Sequence, residues 1–389
     1  MPILILQDKI TGAFENNSIV CGIYLDLRKA FDTVNLDILL SKMQKYGIIN
    51  NAHNMIKSYL SERTQCVQIN DVRSTFLPVQ MGVPQGSILG PLLFILYIND
   101  FPQVCGRQIT TLLYADDTAI FIEGKSEKEL QTSLNILMPN VAKWFITNQL
   151  SLNTDKTFYQ IYTNKKTTIK VSLKLDGAVI TRVKTVKYLG VFIDDDLKWK
   201  THIAKLHTVL SRNLGIISRV RYFLNSKHLL LLYNSLFLSY VNYCCFLYSN
   251  TYSTCINEIE KLQKRAVRMI DGQPRLSHTA PIFKKLKLLR IQDIGNQQML
   301  LLLHRKLKGN MPNQIDQLFV IAVPGRTSRT VKHFEELFTY KLYKTHTISW
   351  AGPRLWNGVM GPMYPTVQTV PISKYIIKKV SKSYFINQY

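Results

Sequence analysis

The stretch Thr110-Thr111-Leu112-Leu113-Tyr114-Ala115-Asp116-Asp117-Thr118-Ala119-Ile120-Phe121 decides the fold class of this chain. Its two apolar, β-prone runs flank a pair of adjacent carboxylates, which predicts a hairpin that presents acid at its turn. A structural core has no use for such a pair, because buried carboxylates are costly unless paired or bound to a cation. A Mg²⁺ site that handles phosphates does use one, since the ion takes one or two protein carboxylates and fills its other positions with water and substrate oxygens. Taken alone, the pair also fits an inert, solvated turn.

A further carboxylate follows the apolar run Ile19-Val20-Cys21-Gly22-Ile23-Tyr24-Leu25, which predicts a buried strand ending at Asp26. Together with Asp116 and Asp117, this residue would supply three carboxylates from two strand ends. Two divalent ions about 3.5–4 Å apart can bridge such a group during an in-line phosphoryl transfer. That chemistry depends on positioning and charge neutralisation, so it needs no covalent nucleophile.

Composition and charge indicate a globular protein with a polyanionic partner. The chain has 389 residues, enough for two or three domains, and is 46% hydrophobic, which excludes a disordered chain. Its net charge is +24. The charge is uneven, because residues 1–200 carry 22 lysines and arginines against 18 acidic residues, whereas residues 201–389 carry 27 against 7. The second half therefore predicts a surface for nucleic acid or, less favoured, an anionic membrane.

The cysteines and the apolar segments point to an intracellular protein. The six cysteines form no C-x-x-C pair and no zinc spacing, which is typical of reduced thiols. The start of the chain lacks the features of a secretory signal. Residues 229–248 reach the length of a membrane span, but polar residues interrupt them, which favours a buried helix. We expect a nuclear or cytoplasmic protein that is not secreted and has no membrane partner.

Periodicity and breaker residues predict an α+β domain followed by a helical region. The predicted α+β elements are helix 3–16, strand 19–25, helix 36–46 ended by Gly47, a ribbon over 64–79, helix 88–98, helix 127–149 and strand 188–193. The predicted later helices cover 200–221, 226–248, 255–271 and 292–307. We expect domain boundaries that give 1–196, 197–310 and an unassigned tail region, 311–389.

Five segments, in this order, resemble the palm motifs of reverse transcriptases, in the variant of non-LTR (LINE, jockey-like) retrotransposons. They are Tyr24-Leu25-Asp26-Leu27-Arg28-Lys29-Ala30-Phe31-Asp32, Gly82-Val83-Pro84-Gln85-Gly86-Ser87-Ile88-Leu89-Gly90-Pro91-Leu92-Leu93-Phe94, Tyr114-Ala115-Asp116-Asp117, Leu150-Ser151-Leu152-Asn153-Thr154-Asp155-Lys156-Thr157 and Val186-Lys187-Tyr188-Leu189-Gly190-Val191-Phe192-Ile193-Asp194. The resemblance implies an α+β fold, the right-hand polymerase palm with an antiparallel sheet packed on helices, followed by a mainly helical thumb and C-terminal region. It implies RNA-directed DNA polymerase activity, with an RNA template, a DNA primer and deoxynucleoside triphosphates as partners.

The resemblance also implies a role for individual residues. Asp26, Asp116 and Asp117 would be catalytic and bind two Mg²⁺ ions, with Mn²⁺ as an alternative. The other implied groups are a catalytic cation or proton donor near the pyrophosphate (Lys156), a nucleotide-binding set (Phe31, Gln85, Gly86 and Tyr114) and a primer grip (Tyr188, Leu189 and Gly190). Plainer interpretations stay open: Phe31 as a core anchor, Lys156 as a solvated lysine and the primer-grip segment as an ordinary buried strand.

A stripe of basic residues at helical spacing lies in the second half of the chain. It predicts contact with the phosphates of a template–primer duplex. A solvated helix face is the alternative. The stripe consists of Lys261, Lys264, Arg265 and Arg268.

The chain departs from the family pattern before its first motif. Only 25 residues precede Asp26, whereas polymerases of this type carry a fingers region there and an endonuclease further upstream. We therefore expect an N-terminally truncated copy, in which the palm is intact and activity is uncertain. The alternatives are a non-catalytic nucleic-acid-binding remnant, a reverse transcriptase similar to group II intron maturases and, on residues 229–248 alone, a membrane protein.

Overall fold

The computed structural model describes residues 1–106, 108–165, 169–322, 332–339, 345–364, 370–371 and 373–389. Contacts between α-carbons divide the chain into two units. We call Asn16–Val186, with Pro2, the sheet unit, and Ile3–Glu15 with Lys187–Tyr389 and Met1 the helical unit. The boundaries that the sequence predicts near residues 196 and 310 stay predictions.

The sheet unit follows the predicted order of elements. It contains β1 (Ile19–Leu25), α2 (Leu36–Lys45), α3 (Asn50–Leu60), β2 (Thr64–Gln65), β3 (Gln68–Ile69), β4 (Val72–Arg73), β5 (Leu77–Pro78), α4 (Leu89–Ile98), α5 (Phe101–Cys105), β6 (Thr110–Tyr114), β7 (Asp117–Gly124), α6 (Glu127–Thr147), β8 (Phe158–Tyr162), β9 (Leu173–Leu175) and β10 (Ala178–Arg182). The predicted strand 19–25 and helices 36–46, 88–98 and 127–149 are thus confirmed. The helices α3 and α5 and the strands β8, β9 and β10 were not predicted.

Six strands form one sheet in the order β6-β7-β1-β8-β10-β9. All neighbouring pairs are antiparallel except β8 and β10, which run parallel. The strand β1 lies inside the sheet and all seven of its residues are buried, which explains its continuous apolar run. Gly22 in β1 leaves room for a ring, because a Cβ there would lie 2.8 Å from Cε1 of Phe121.

Helices cover the sheet through one apolar core. The helix α6 contributes Leu130, Leu134 and Phe145 to this core, together with β1 and β7 residues. Its start is fixed by a reciprocal pair of hydrogen bonds, because the Glu129 backbone N–H donates to Ser126 Oγ (3.2 Å) and the Lys125 backbone N–H donates to Glu129 Oε2 (2.8 Å). An antiparallel sheet packed on helices is the polymerase palm architecture that the resemblance implied.

The helical unit contains the first helix and the region after the sheet. Its helices are α1 (Pro2–Glu15), α7 (Lys200–Val220), α8 (Ser226–Tyr233), α9 (Ser239–Asn242), α10 (Cys245–Tyr248), α11 (Ser253–Ile270), α12 (Ala280–Leu286), α13 (Ile291–Leu307), α14 (Asn313–Asp316), α15 (Ile348–Val359) and α16 (Lys374–Asn387). The helices predicted over 3–16, 200–221, 255–271 and 292–307 are confirmed. The unassigned tail region holds α14, α15 and α16, and parts of it lie outside the described residues.

Two predicted elements are wrong. Residues 188–193 are not one strand, because β11 (Thr185–Tyr188) and β12 (Val191–Asp194) form a separate two-stranded sheet. Both residues between them, Leu189 (φ +46°) and Gly190 (φ +78°), have the positive φ that tight hairpin turns require. Residues 226–248 are not one helix, because a π-helical turn at Asn234–Leu238 and Cys244 (φ +54°) divide them into shorter pieces.

The structure bears directly on whether a helix of the chain could span a membrane. Among the helices in the described ranges, none combines the length and the apolarity that crossing a bilayer requires.

Candidate active site

The hairpin of β6 and β7 presents two carboxylates at its tip. Tyr114 pairs with Asp117 across the hairpin, which leaves Ala115 and Asp116 as a two-residue turn. Ala115 takes a φ of +52°, a left-handed conformation that costs a residue with a Cβ about 1–2 kcal/mol. Asp116 and Asp117 are both exposed. The short turn therefore holds two acids at the end of a rigid, largely buried strand.

The register of the sheet brings Asp26 to the same place. Leu25, the last residue of β1, pairs with Thr118 of β7 in an antiparallel ladder. One step further along each strand, Asp26 and Asp117 occupy facing positions at the same edge. Opposite positions in such a ladder place side chains within contact distance. The register therefore brings the end of β1 next to the start of β7, as the sequence predicts.

The electrostatics of Asp117 reflect this crowding. Its pKa is raised above the ordinary value, chiefly because the surrounding protein partly desolvates the carboxylate even though the residue is exposed, and further because Asp116 and Asp26 repel its charge. None of the three carboxylates forms an ion pair within the described part of the chain. A group of like charges without a cationic partner is a place where a bound cation is stabilised.

Two residues that we did not single out from the sequence fasten Asp26. The side-chain amide of Asn153 donates to Oδ2 of Asp26 (3.0 Å), and the Asn153 backbone N–H donates to the Asp26 carbonyl (2.8 Å). The Asp26 backbone N–H donates to Oγ1 of Thr157 (3.3 Å), which itself donates to the Asn153 carbonyl (2.8 Å). Both residues lie in the fourth family-like motif, so the motif marked the segment but not this contact.

The three carboxylates have the chemistry of a metal site but not the arrangement of a closed one. Among the side chains that the structure describes, no three carboxylate, imidazole or thiol groups lie close enough to hold one metal ion. The donor chemistry does fit, because Mg²⁺ prefers carboxylate oxygens and these three repel one another in its absence. The residues therefore suit a hard divalent cation without forming a closed ligand cluster.

Three of the four predicted nucleotide-binding residues, Phe31, Gln85 and Gly86, lie in one local arrangement. The Val83 backbone N–H donates to the Phe31 carbonyl (2.8 Å), and the Gln85 side chain donates to Oδ1 of Asp32 (2.6 Å). The loop around Gly86 is thereby tied to the segment after Asp26, and Gly86 has a φ of +79°. The ring of Phe31 is half-buried, as the core-anchor interpretation would have it, and lies 4.9 Å from that of Phe94, centroid to centroid.

The remaining predicted residues of the sheet unit are exposed. Tyr114 is 59% exposed at the end of β6. Lys156 lies on a short 3₁₀ turn, Thr154–Lys156, between the two residues that fasten Asp26. Its backbone N–H donates to the Asn153 carbonyl (3.1 Å), so its position in the chain is fixed although its side chain is solvated.

The predicted primer-grip residues belong to the helical unit. Tyr188 is buried at the end of β11, and Leu189 and Gly190 form the hairpin turn. The hydroxyl of Tyr243 donates to the Leu189 carbonyl (2.5 Å), which holds the turn against α9 and its following residue. The interpretation as an ordinary strand is therefore wrong, and the primer-grip role stays a prediction.

The basic stripe also lies in the helical unit, on α11, and its members differ in their contacts. Lys261 pairs with Glu258 (2.6 Å) and Lys264 with Glu260 (3.2 Å), both on the same helix. The Nε of Arg268 donates to the Ser277 carbonyl (2.8 Å). Arg265 is exposed and forms no ion pair with a described residue.

Comparison with known proteins gives a consistent result. Residues 4–193 match the family model described as reverse transcriptase (RNA-dependent DNA polymerase). The chain is 27% identical over 293 residues to the RNA-directed DNA polymerase from mobile element jockey of Drosophila melanogaster, a match that covers 72% of this chain and 31% of that protein. It is 26% identical over 299 residues to the probable RNA-directed DNA polymerase from transposon X-element of the same species, covering 75% and 32%.

The chain thus spans about a third of the length of the curated relatives that it matches. Among solved structures, apo telomerase from Candida tropicalis matches with a TM-score of 0.41 and 14% identity, over 75% of this chain and 49% of that one.

Proposed function

We propose RNA-templated DNA synthesis as the function of this chain, because its residues 4–193 belong to the reverse transcriptase family. The observation that carries the proposal is the facing position of Asp26 and Asp117 beside Asp116. The reaction would join a deoxynucleoside triphosphate to a primer 3′-hydroxyl, with release of pyrophosphate. An RNA template, a primer and deoxynucleotides are the partners in this proposal, and an intracellular location in nucleus or cytoplasm follows from where these are found.

Reverse transcriptases as a family use divalent metal ions, and three side chains here would hold them. Asp26, Asp116 and Asp117 would bind two Mg²⁺ ions, which activate an attacking hydroxyl and neutralise charge on the phosphates. Asn153 and Thr157 orient the Asp26 carboxylate and so fix one ligand before an ion arrives. The chain's own contribution is therefore to place and hold carboxylates at one strand edge.

The surrounding residues would receive the nucleotide. Gln85 and Gly86 lie on a loop that is fastened to the segment containing Phe31, so these residues would act as one binding surface. The absence of a side chain at Gly86 allows a substrate to approach the backbone. Lys156 is solvated and would meet the negative charge of the pyrophosphate group.

The proposal is tested by deoxynucleotide incorporation on a poly(rA)–oligo(dT) template–primer. Purified wild type is compared with Asp116→Asn, each with Mg²⁺ present and with Mg²⁺ chelated. We expect incorporation by the wild type with Mg²⁺ and none in the other three reactions. Asp176→Asn, a change at an exposed acid in the turn between β9 and β10, serves as the matched control and should retain incorporation.

Binding without catalysis is the second candidate function. The observation that favours it is that no closed three-ligand cluster exists in the ranges that the structure describes. The excess of 27 basic over 7 acidic residues in 201–389 would still bind polyanions. No incorporation by the wild type, with salt-sensitive nucleic-acid binding that Asp116→Asn leaves unchanged, would establish this function instead.

A further inference from the structure

A strongly basic groove lies within the helical unit, between the end of α7, one face of α11 and the loop that follows α11. Its volume is about 810 Å³. The described residues that line it include no carboxylate and five cations, Arg221, Lys261, Arg265, Arg268 and Arg275. Two of these, Arg221 and Arg275, are separated from the α11 stripe in sequence, so helical spacing alone did not reveal them. Lys264 of the predicted stripe is not among the lining residues.

The arrangement of the cations leaves two of them available to a ligand. Arg268 donates to the Ser277 carbonyl and so holds the loop that forms one wall. Lys261 is already partly neutralised by Glu258. Arg265 and Arg275 are exposed and form no ion pair with any described residue. A polyanion entering the groove would therefore meet guanidinium groups that are not engaged by carboxylates.

Two aromatic residues directly follow Arg221, a residue that lines this groove, in the turn between α7 and α8. Tyr222 is 76% exposed and Phe223 is 86% exposed, so neither ring contributes much to the core. The guanidinium carbon of Arg221, which lines the groove, lies 4.6 Å from the centre of the Tyr222 ring. Adjacent exposed rings are costly in water and indicate a binding surface. The contact with Arg221 places the Tyr222 ring next to a residue that lines the groove.

A basic groove together with exposed aromatic rings favours one class of polyanionic ligand over the others. Cations that track a phosphate backbone and rings that stack on bases are the two components of single-strand recognition. In a duplex the bases are already stacked on each other, so their faces are not accessible to protein rings. A flat anionic membrane would meet the rings but not cations that line a concave groove. The observations therefore favour an unpaired strand over both a duplex and a lipid surface.

We propose that Tyr222 and Phe223 stack on unpaired bases of single-stranded RNA or DNA, whose phosphates lie along Arg221, Arg265 and Arg275. This inference rests on the proposed nucleic-acid function and specifies the form of nucleic acid that this surface takes. It revises the expectation that the α11 stripe meets a template–primer duplex, since three of the four stripe residues here contribute to a groove for an unpaired strand.

Fluorescence anisotropy of the full chain with a labelled 12-nucleotide oligo(U), and with the same strand in a duplex, tests the proposal. The double variant Tyr222→Ala/Phe223→Ala should bind the single strand at least about tenfold more weakly, since one stacked base contributes about 1–3 kcal/mol. Its affinity for the duplex should stay within about twofold of the wild-type value. Tyr375→Ala, which removes a 72% exposed ring on α16, is the matched control and should change neither affinity.

The salt dependence separates stacking from charge. The aromatic double variant should keep the wild-type slope of log K against log salt concentration, because its phosphate contacts remain. Arg265→Ala/Arg275→Ala should reduce that slope by about two. The double variant Tyr222→Phe/Phe223→Trp keeps a ring at both positions, so its affinity for the single strand should be close to that of the wild type and not to that of the alanine variant. Equal losses on single strand and duplex, or no loss, would overturn the proposal.

Two further results distinguish this proposal from its competitors. If the aromatic variant no longer sediments with phosphatidylserine vesicles but still binds oligo(U), the proposal is overturned in favour of a membrane-binding surface. Incorporation by the wild type together with unchanged oligo(U) binding by the aromatic variant would refute this inference alone. No incorporation together with the expected loss of oligo(U) binding would refute the proposed polymerase function alone.

Discussion

Replacing Asn153 with alanine tests whether the carboxylate of Asp26 must be held in place. The substitution removes the amide that donates to Oδ2 of Asp26 (3.0 Å) and leaves the Asn153 backbone N–H bonded to the Asp26 carbonyl (2.8 Å). The strand end should therefore stay where it is while the side chain gains freedom. Any effect on catalysis then reports the orientation of one carboxylate.

The size of the expected loss in activity follows from the type of hydrogen bond that the substitution removes. A bond to a charged group contributes about 1.5–3 kcal/mol, and the partial exposure of both partners points to the lower end. Since about 1.4 kcal/mol corresponds to a tenfold change in rate, we expect kcat/KM to fall about tenfold. Asn153→Asp should lose more, because it replaces the donor with a like charge beside Asp26.

Steady-state incorporation of dTTP on poly(rA)–oligo(dT), repeated over a Mg²⁺ titration, measures this effect. The loss should be larger at low Mg²⁺ than at saturating Mg²⁺, while the KM for template–primer stays constant. Asn135→Ala removes an exposed amide that accepts a hydrogen bond from Gln131 in its own helix and is the matched control. A rate for Asn153→Ala within twofold of the wild type, or an equal loss in Asn135→Ala, would refute the reasoning.

Two further predictions concern stability. The raised pKa of Asp117 means that its ionised carboxylate destabilises the folded state above that pKa. Asp117→Asn should therefore stabilise the metal-free protein at pH 7 by about 0.2–1 kcal/mol. Urea unfolding should show this gain at neutral pH and its loss on acidification through the ordinary carboxyl pKa range, whereas a gain that persists in acid would contradict it. Gly22→Ala should destabilise the protein by about 1–3 kcal/mol, because its Cβ would lie 2.8 Å from Cε1 of Phe121. Gly12→Ala, whose Cβ would meet nothing within 4 Å, is the control, and equal unfolding midpoints for the two variants would contradict the packing argument.

The sequence could predict the carboxylate site because its parts are local. The apolar runs around Asp26 and Asp116 each specify a strand, and a hairpin turn at Ala115 needs no information from elsewhere in the chain. The contact between Asn153 and Asp26 could not be predicted in this way. It depends on an isolated pairing of Leu27 with Leu152, which joins segments that are distant in sequence.

The two wrong elements have a common physical cause. Residues 188–193 are apolar throughout and residues 226–248 are mainly apolar with scattered polar positions, so hydropathy carries no sign of where the backbone turns. The turns are specified by positive φ at Leu189 and Cys244, residue types that rarely adopt it. Gly190 was the one local signal available for the first of them, since glycine adopts positive φ freely.

In the functions proposed for this chain, chemistry and binding depend on different residues, and this decides how each of them would be lost. The proposed site at Asp26, Asp116 and Asp117 would be stabilised by a bound cation, whereas the groove around Arg265 would be stabilised by a bound anion. Neutralising one acid would remove a proposed metal ligand but would change little of a net charge of +24, so polyanion binding should survive. Removing Arg265 and Arg275 should weaken binding in a salt-dependent way and leave the metal requirement unchanged. A copy of such a domain can therefore lose catalysis by one substitution and still hold nucleic acid, and binding alone is no evidence of activity.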